Sequence, residues 1–153
     1  MPTESEPFIP GPVAVPASAA VTSSAKDLVL DFIRVLEAGG GSAELRPFLA
    51  PGFELTEAPH ALAPRGSRRS IEQVLSGADQ GKLIVSGQHF DIRRTVAQGN
   101  TVVVEAEWNA TVLMPLPHWE IGDTITASTC SIFEVHRGQL LHQSSFDCYL
   151  IPD

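Results

Sequence analysis

The chain has little of what usually announces chemistry. Its 153 residues include two lysines (Lys26 and Lys82), one tyrosine (Tyr149) and two cysteines (Cys130 and Cys148). Neither cysteine belongs to a Cys-x-x-Cys pair. The five histidines, His60, His89, His118, His136 and His142, lack metal-ligand spacing. No metal is therefore expected. No glycine-rich loop is set to cradle a phosphate, and no cofactor is expected. Positive charge is scarce, with 10 Lys and Arg against 18 Asp and Glu, and the net charge is −8. An acidic chain without a basic patch is poorly suited to nucleic acid or to an anionic membrane. No apolar run is long enough to span a bilayer. The stretch from Phe8 to Val21 is broken by Pro10, Pro12 and Pro16. It follows Glu4 and Glu6 rather than a positive region, so it does not read as a signal peptide.

What is present suits one globular domain. Apolar residues make up 43% of the chain and charged residues 18%, enough for a core at this length. Residues 1 to 22 are rich in Pro, Ala and Ser and read as an extended tail. Within it, Phe8-Ile9-Pro10 is either passive or packs on the domain or on a second subunit. Residues 23 to 153 form the domain. Ser24 with Asp27 predicts a helix start. Leu28, Phe32, Val35 and Leu36 form its apolar stripe, and Gly39-Gly40-Gly41 ends it. Ser42 caps a short second helix from about Ala43 to Leu49. Pro51-Gly52 breaks the chain, and Phe53 to Glu57 alternates as a short strand. Ala58 to Gly66 reads as a loop. A third helix runs from about Ser70 to Leu75, closed by the tract from Gly77 to Gly81.

Everything after residue 83 reads as strand. Leu83 to Val96 is one long strand with a bulge or bend at Gly87, and Gln98-Gly99-Asn100 is a hairpin turn. Thr101 to Met114 follows, with Val102, Val104, Ala106, Trp108, Ala110 and Val112 on one face. Pro115 to Asp123 is a loop. Thr124 to Val135 and Leu140 to Leu150 form a final hairpin around Arg137-Gly138. The order predicts an α+β fold, a strongly curved, mainly antiparallel sheet wrapped on three N-terminal helices. Such a sheet leaves a cone, with an internal apolar cavity as the default ligand site.

The final hairpin carries Ser145-Phe146-Asp147-Cys148-Tyr149, which makes Asp147 the first candidate for a catalytic acid or base. With His136 facing Gln139, Cys130 lies opposite Ser145 and Cys148 opposite Ala127. The thiols are then three residues out of step, roughly 10 Å along the strands. That is too far for a disulfide, and free thiols suit the reducing cytoplasm. Simple alternation groups Asp147 with Gln143, Ser145 and Tyr149, away from the more apolar face of Phe146, Cys148 and Leu150. A β-bulge would reverse this, and so would burial of both faces, one by the cavity and one by a dimer partner.

Three stretches carry a resemblance. They are Phe53-Glu54-Leu55-Thr56-Glu57-Ala58-Pro59-His60 with Gly66 and Ile71, then Asn100 through Trp108, then Phe133 through Leu140 with Phe146-Asp147-Cys148-Tyr149. Over about residues 25 to 150 the chain resembles the SnoaL-like branch of the nuclear transport factor 2-like superfamily. The resemblance implies a cystatin-like α+β cone, usually a homodimer, among relatives that include polyketide cyclases, ketosteroid isomerase, epoxide hydrolase and binding proteins without chemistry. Fold alone therefore does not choose the function.

The resemblance also implies roles for particular residues. Asp147 stands where SnoaL-like cyclases keep an acid/base aspartate. Glu57 lies near the ketosteroid isomerase base position, although that base directly precedes its proline and here Ala58 intervenes. His60 is a loop histidine that can shuttle protons, or plain polar surface. The isomerase's helix tyrosine is absent, with Phe32 in that helix instead. The Asp-Arg-Asp set of epoxide hydrolase has no counterpart between Glu105 and Glu107. Phe32, Phe53, Phe90, Trp108 and Tyr149 are expected to shape the ligand pocket, and His118 with Trp119 to form a lid or a dimer contact. The expected activity is cofactor-free isomerisation, cyclisation or dehydration of a small apolar organic molecule. The alternative is a non-catalytic binding or interaction module of the same fold. A homodimer through the outer sheet face is expected from Val103, Leu113, Ile132 and Leu141.

Overall fold

The computed structural model describes residues 17–153. Most of the Pro-rich tail, including Phe8-Ile9-Pro10, lies outside the described residues. The first helix, α1 (Ala17–Glu37), begins earlier than the Ser24 cap predicts, through the small residues Ala17-Ser18-Ala19-Ala20. Its buried stripe is Ala25, Val29, Phe32 and Ile33, with Leu36 packed beside it. That i, i+4, i+7, i+8 spacing is one helical face. The end is a Schellman motif. Gly39 adopts φ +80°, its N–H donates to the Leu36 carbonyl, and the Gly40 N–H donates to the Val35 carbonyl.

A short α2 (Ser42–Leu45) runs into a 3-10 turn, Arg46–Phe48. The Ser42 N–H donates to Asp79 and ties α2 to α3 (Ile71–Gly81). α3 starts on a reciprocal capping box between Ser70 and Gln73. It runs through the Gly77 to Gly81 tract expected to close it and ends at Gly81, with Ala78 packed against the core.

Six strands form one sheet in the order β2-β1-β6-β5-β4-β3. They are β1 (Leu49–Glu57), β2 (Ser67–Ser70), β3 (Val85–Gln98), β4 (Thr101–Val112), β5 (Thr124–His136) and β6 (Gln139–Tyr149). β1 runs parallel to β6, and the other pairs are antiparallel. β1 extends back through Pro51-Gly52, with its register to β6 shifting there. β2 went unpredicted because Ser-Arg-Arg-Ser has no apolar residue to mark a face. β3 bends at Gly87 (φ +63°), as expected, and its pairing slips between Ser86 and His89.

The β5–β6 hairpin turns on Arg137 and Gly138, both at positive φ, with His136 opposite Gln139. Beyond the turn the simple register fails. Val135 pairs with Leu140 but Glu134 pairs with His142, so Leu141 is the extra residue of a β-bulge. Cys130 therefore faces Phe146 and Cys148 faces Ser128, a two-residue offset rather than three, and both thiols are free.

Along β4 the inward residues pass through three environments. Val102 and Val104 join the main core with the α1 stripe, Leu45, Leu49, Phe53, Leu75, Phe133 and Leu140. Ala106 and Trp108 line a cavity. Ala110 and Val112 join a smaller cluster with Trp119 and Ile125. The cavity thus sits between two apolar caps. Among the described residues, no helix is long and apolar enough to cross a membrane.

Candidate functional site

The bulge decides what the cavity contains. Leu140 points into the core before it. After it, Gln143, Ser145, Asp147 and Tyr149 line the cavity, while Phe146, Cys148 and Leu150 are exposed on the other face. Asp147 keeps the company that alternation assigned to it, but that polar face is the inner one. Across β5 the partners are Phe133, Ser131, Thr129 and Ala127. The cavity holds about 160 Å³, and Ile33, Leu36, Phe90, Val104 and Trp108 complete much of its apolar wall. A wider cleft of about 600 Å³ shares Leu36, Gln143 and Ser145 with it and reaches Glu57, Arg69 and Lys82.

Glu57 reaches the site because β1 runs parallel beside β6, pairing Glu57 with Ser145, and the Ala58 N–H donates to the Ser145 carbonyl. The chain then folds back through a tight bridge between His60 and Ala63. Gly66 (φ +71°) makes this return possible, since a Cβ there would lie 2.5 Å from the Glu57 carbonyl oxygen. The loop lays the His60 ring 5.3 Å from Tyr149, centroid to centroid. Its Nε2 lies 3.7 Å from Glu57 Oε2. One side-chain ligand atom each of Glu57, His60 and Asp147 falls within 4.8 Å of the others.

Electrostatics separate these groups. Burial raises the Asp147 pKa above the usual carboxylate value; His60 offsets this in part and Glu57 adds to it. Burial also raises the Tyr149 pKa, with Asp147 and then Glu57 adding to it. Glu57 accepts a 2.5 Å hydrogen bond from Ser67 Oγ and lies 3.7 Å from Arg69 Nη2. The Leu62 N–H donates to His60 Nδ1 at 3.1 Å, which places the ring proton on Nε2. In that form the cluster offers a cation two carboxylates but no imidazole lone pair. Ser145 Oγ accepts from Gln143 Nε2 at 3.1 Å and lies 3.3 Å from Ser131 Oγ, so the cavity floor is a short polar network.

The structure brings together Asp147, His60, Glu57, Phe90, Trp108 and Tyr149. Other expected pocket residues lie elsewhere. Phe32 borders the cleft and packs at an angle against Phe48 and edge-on against Phe133. Phe53 is buried in the main core. The lid expectation for His118 and Trp119 fails, because a two-way backbone bridge between Leu116 and Trp119 turns the indole inward. Trp119 is buried 5.8 Å from Tyr149, ring to ring, and His118 is exposed at φ +74°. Sequence reasoning missed Gln143, Ser145, Ser131 and Thr129. The first two share parity with Asp147, which was the available signal.

The family model described as a SnoaL-like domain matches residues 29–143. No curated protein matches the chain. Solved structures resemble it at low identity. An NTF2-like protein from Burkholderia xenovorans is 16% identical with a TM-score of 0.65, covering 82% of this chain and 90% of its own. A putative polyketide cyclase from Acidithiobacillus ferrooxidans is 21% identical, with a TM-score of 0.66 over 83% and 89%. An LEH-like epoxide hydrolase from M. tuberculosis is 20% identical, with a TM-score of 0.63 over 82% and 84%. These likenesses establish the cone fold and leave the chemistry to the site.

Proposed function

The chain belongs to the SnoaL-like domain family, and on that premise we propose that its cavity binds a small, mainly apolar organic molecule and moves a proton on it without a cofactor. The reaction class is isomerisation, cyclisation or dehydration. The observation that carries this reading is the Asp147 carboxylate, desolvated on the cavity wall beside the His60 Nε2–H. A carboxylate with raised proton affinity is a better base and holds a removed proton closer to neutrality. His60 lies beside Asp147 and offsets part of the effect of its burial, so it acts on the base rather than on the substrate. Glu57, tied to Ser67 and near Arg69, acts as a positioning residue that keeps negative charge beside Asp147. The cavity admits about one six-membered ring, and the adjoining cleft takes any longer substituent.

Proton exchange tests the chemistry without knowledge of the substrate. Small cyclic ketones incubated with the protein in D2O should lose C–H signal in proton NMR. Asp147→Asn should slow this by about 10²–10⁴-fold while leaving the circular dichroism spectrum unchanged. Exchange at the native rate in the variant would remove Asp147 from the reaction. The protein is further proposed to work as a homodimer in the cytoplasm. The outer sheet face leaves Val96 and Phe146 exposed, with Leu150 just beyond β6, and both thiols are free. Light scattering at micromolar concentration should give twice the chain mass, and a monomer mass would refute the dimer.

A further inference from the structure

The adjacent arginines Arg68 and Arg69 diverge on β2. Arg68 turns to the outer face, where its Nε lies 2.9 Å from Glu54 Oε1 and its side chain is 76% exposed. Arg69 stands opposite Leu55 of β1, and both line the cleft on the inner face. The Arg69 side chain is 43% exposed. One carboxylate comes near it. Glu57 Oε2 lies 3.7 Å from Nη2, beyond hydrogen-bond reach, and already accepts from Ser67 Oγ. Among the described residues, no acceptor is bonded to the Arg69 guanidinium.

The cleft's other charges are met inside the fold. Glu37 accepts from the Phe90 N–H. Lys82 sits at Gly41 beside Asp79, where a Cβ would fall 2.5 Å from Asp79 Oδ1 and 2.8 Å from Lys82 Nζ. Arg69 thus brings the cleft a fork of N–H donors that no protein group uses. Gly77 leaves space beside it, since a Cβ there would lie 3.4 Å from Nη1. The cleft meets the cavity at Leu36, Gln143 and Ser145. Glu57 is 3.7 Å from Arg69 and has a carboxylate oxygen within 4.8 Å of one of Asp147, so one small molecule can touch both the guanidinium and the base.

A carboxylate matches this fork. Its two coplanar oxygens accept parallel N–H bonds from one guanidinium edge, and charge strengthens both. A neutral arm gains only an ordinary hydrogen bond there, and an ammonium is repelled. A phosphate would bring a second negative charge beside Glu57. Salt screens the chain's net charge of −8 beyond about 8 Å, so the groups close to the fork decide.

We propose that the ligand is an organic acid: its ring lies in the cavity, and its carboxylate, on a short arm into the cleft, docks on Arg69. This deepens the functional reading above and rests on it in one respect, that the cavity is a ligand site. The probes are cyclohexylacetate and cyclohexylacetamide, which share a shape and differ in charge. They are titrated at neutral pH into the full chain and followed by Trp fluorescence and NMR shifts. The acid should bind about tenfold more tightly than the amide. Arg69→Gln should abolish that advantage while the amide still binds, which shows an intact cavity. Arg68→Gln removes the same charge from the outer face and should leave the advantage in place. Equal affinity for the two probes in the native protein, or a preference for the amide, would overturn the carboxylate anchor and leave the cavity reading standing. So would an acid advantage that survives Arg69→Gln, or one that both substitutions reduce alike, since net charge alone would then explain it. If neither probe binds at millimolar concentration, the ligand-site reading falls and the anchor with it. Proton exchange is read with uncharged ketones, which keeps the two tests apart.

Discussion

Leu140 and Asp147 both face the inside of the sheet from β6, on either side of the bulge at Leu141, and they meet different surroundings. Leu140 is fully buried in the main core with Val102, Phe133 and Val135. Asp147 lines a cavity whose floor is Ser131, Gln143 and Ser145. The first region gains stability from apolar area removed from water. The second gives some of that up, since it holds a desolvated carboxylate and an unpaired imidazole N–H. Such departures from a satisfied interior gather at functional sites. The difference teaches that one strand serves as core and as site because a single extra residue exchanges its faces between the two.

Inserting one alanine after Ser144 should break the comparison most severely. With one more residue between the bulge and the site, uninterrupted pairing turns Phe146 and Cys148 inward and Asp147 out. Proton exchange should be lost. Cys148, exposed in the native protein, should become slow to react with a thiol reagent. An insertion variant that keeps a reactive Cys148 and still exchanges the ketone protons would show that parity beyond the bulge does not set the face.

The next effect is on stability and has opposite signs in the two regions. Leu140→Ala should cost about 3 kcal/mol in urea unfolding, as a fully buried leucine in a packed core does. Asp147→Asn should instead stabilise the fold by about 1 kcal/mol at neutral pH. The folded carboxyl binds its proton more tightly than the unfolded one, so native stability falls as pH rises from the ordinary carboxylate range through the raised Asp147 value. The advantage of Asp147→Asn should therefore be full above that value and vanish as pH falls to the ordinary range. A gain that is flat with pH would mean that ionisation of Asp147 is not its source.

Much of this architecture is legible in the residues. The α1 stripe, the alternation of β4 and the Arg137-Gly138 turn each carry a periodicity or a backbone demand that neighbours reinforce. Gly87 was expected to bend β3, and it does. The site is only half legible. Asp147, Glu57 and His60 stand in recognisable local settings, but their meeting depends on a parallel β1–β6 pairing between segments far apart in sequence. Trp119 was misplaced because a loop tryptophan has no periodicity to show which way it turns. β2 was missed because four polar residues make no face.

The sequence by itself determined most of the helices and strands, β2 excepted, since hydrophobic period and turn chemistry act within a few residues. It also narrowed the chemistry to a few carboxylates, one histidine and a set of aromatics. Only the tertiary structure decided that the polar face of β6 is the inner one. Periodicity defines two faces without saying which is inside, and the bulge at Leu141 forms when the strand pairs with β5. Likewise, the unpaired Nε2–H of His60 arises only when the loop folds back on Gly66 and the Leu62 N–H takes the other ring nitrogen.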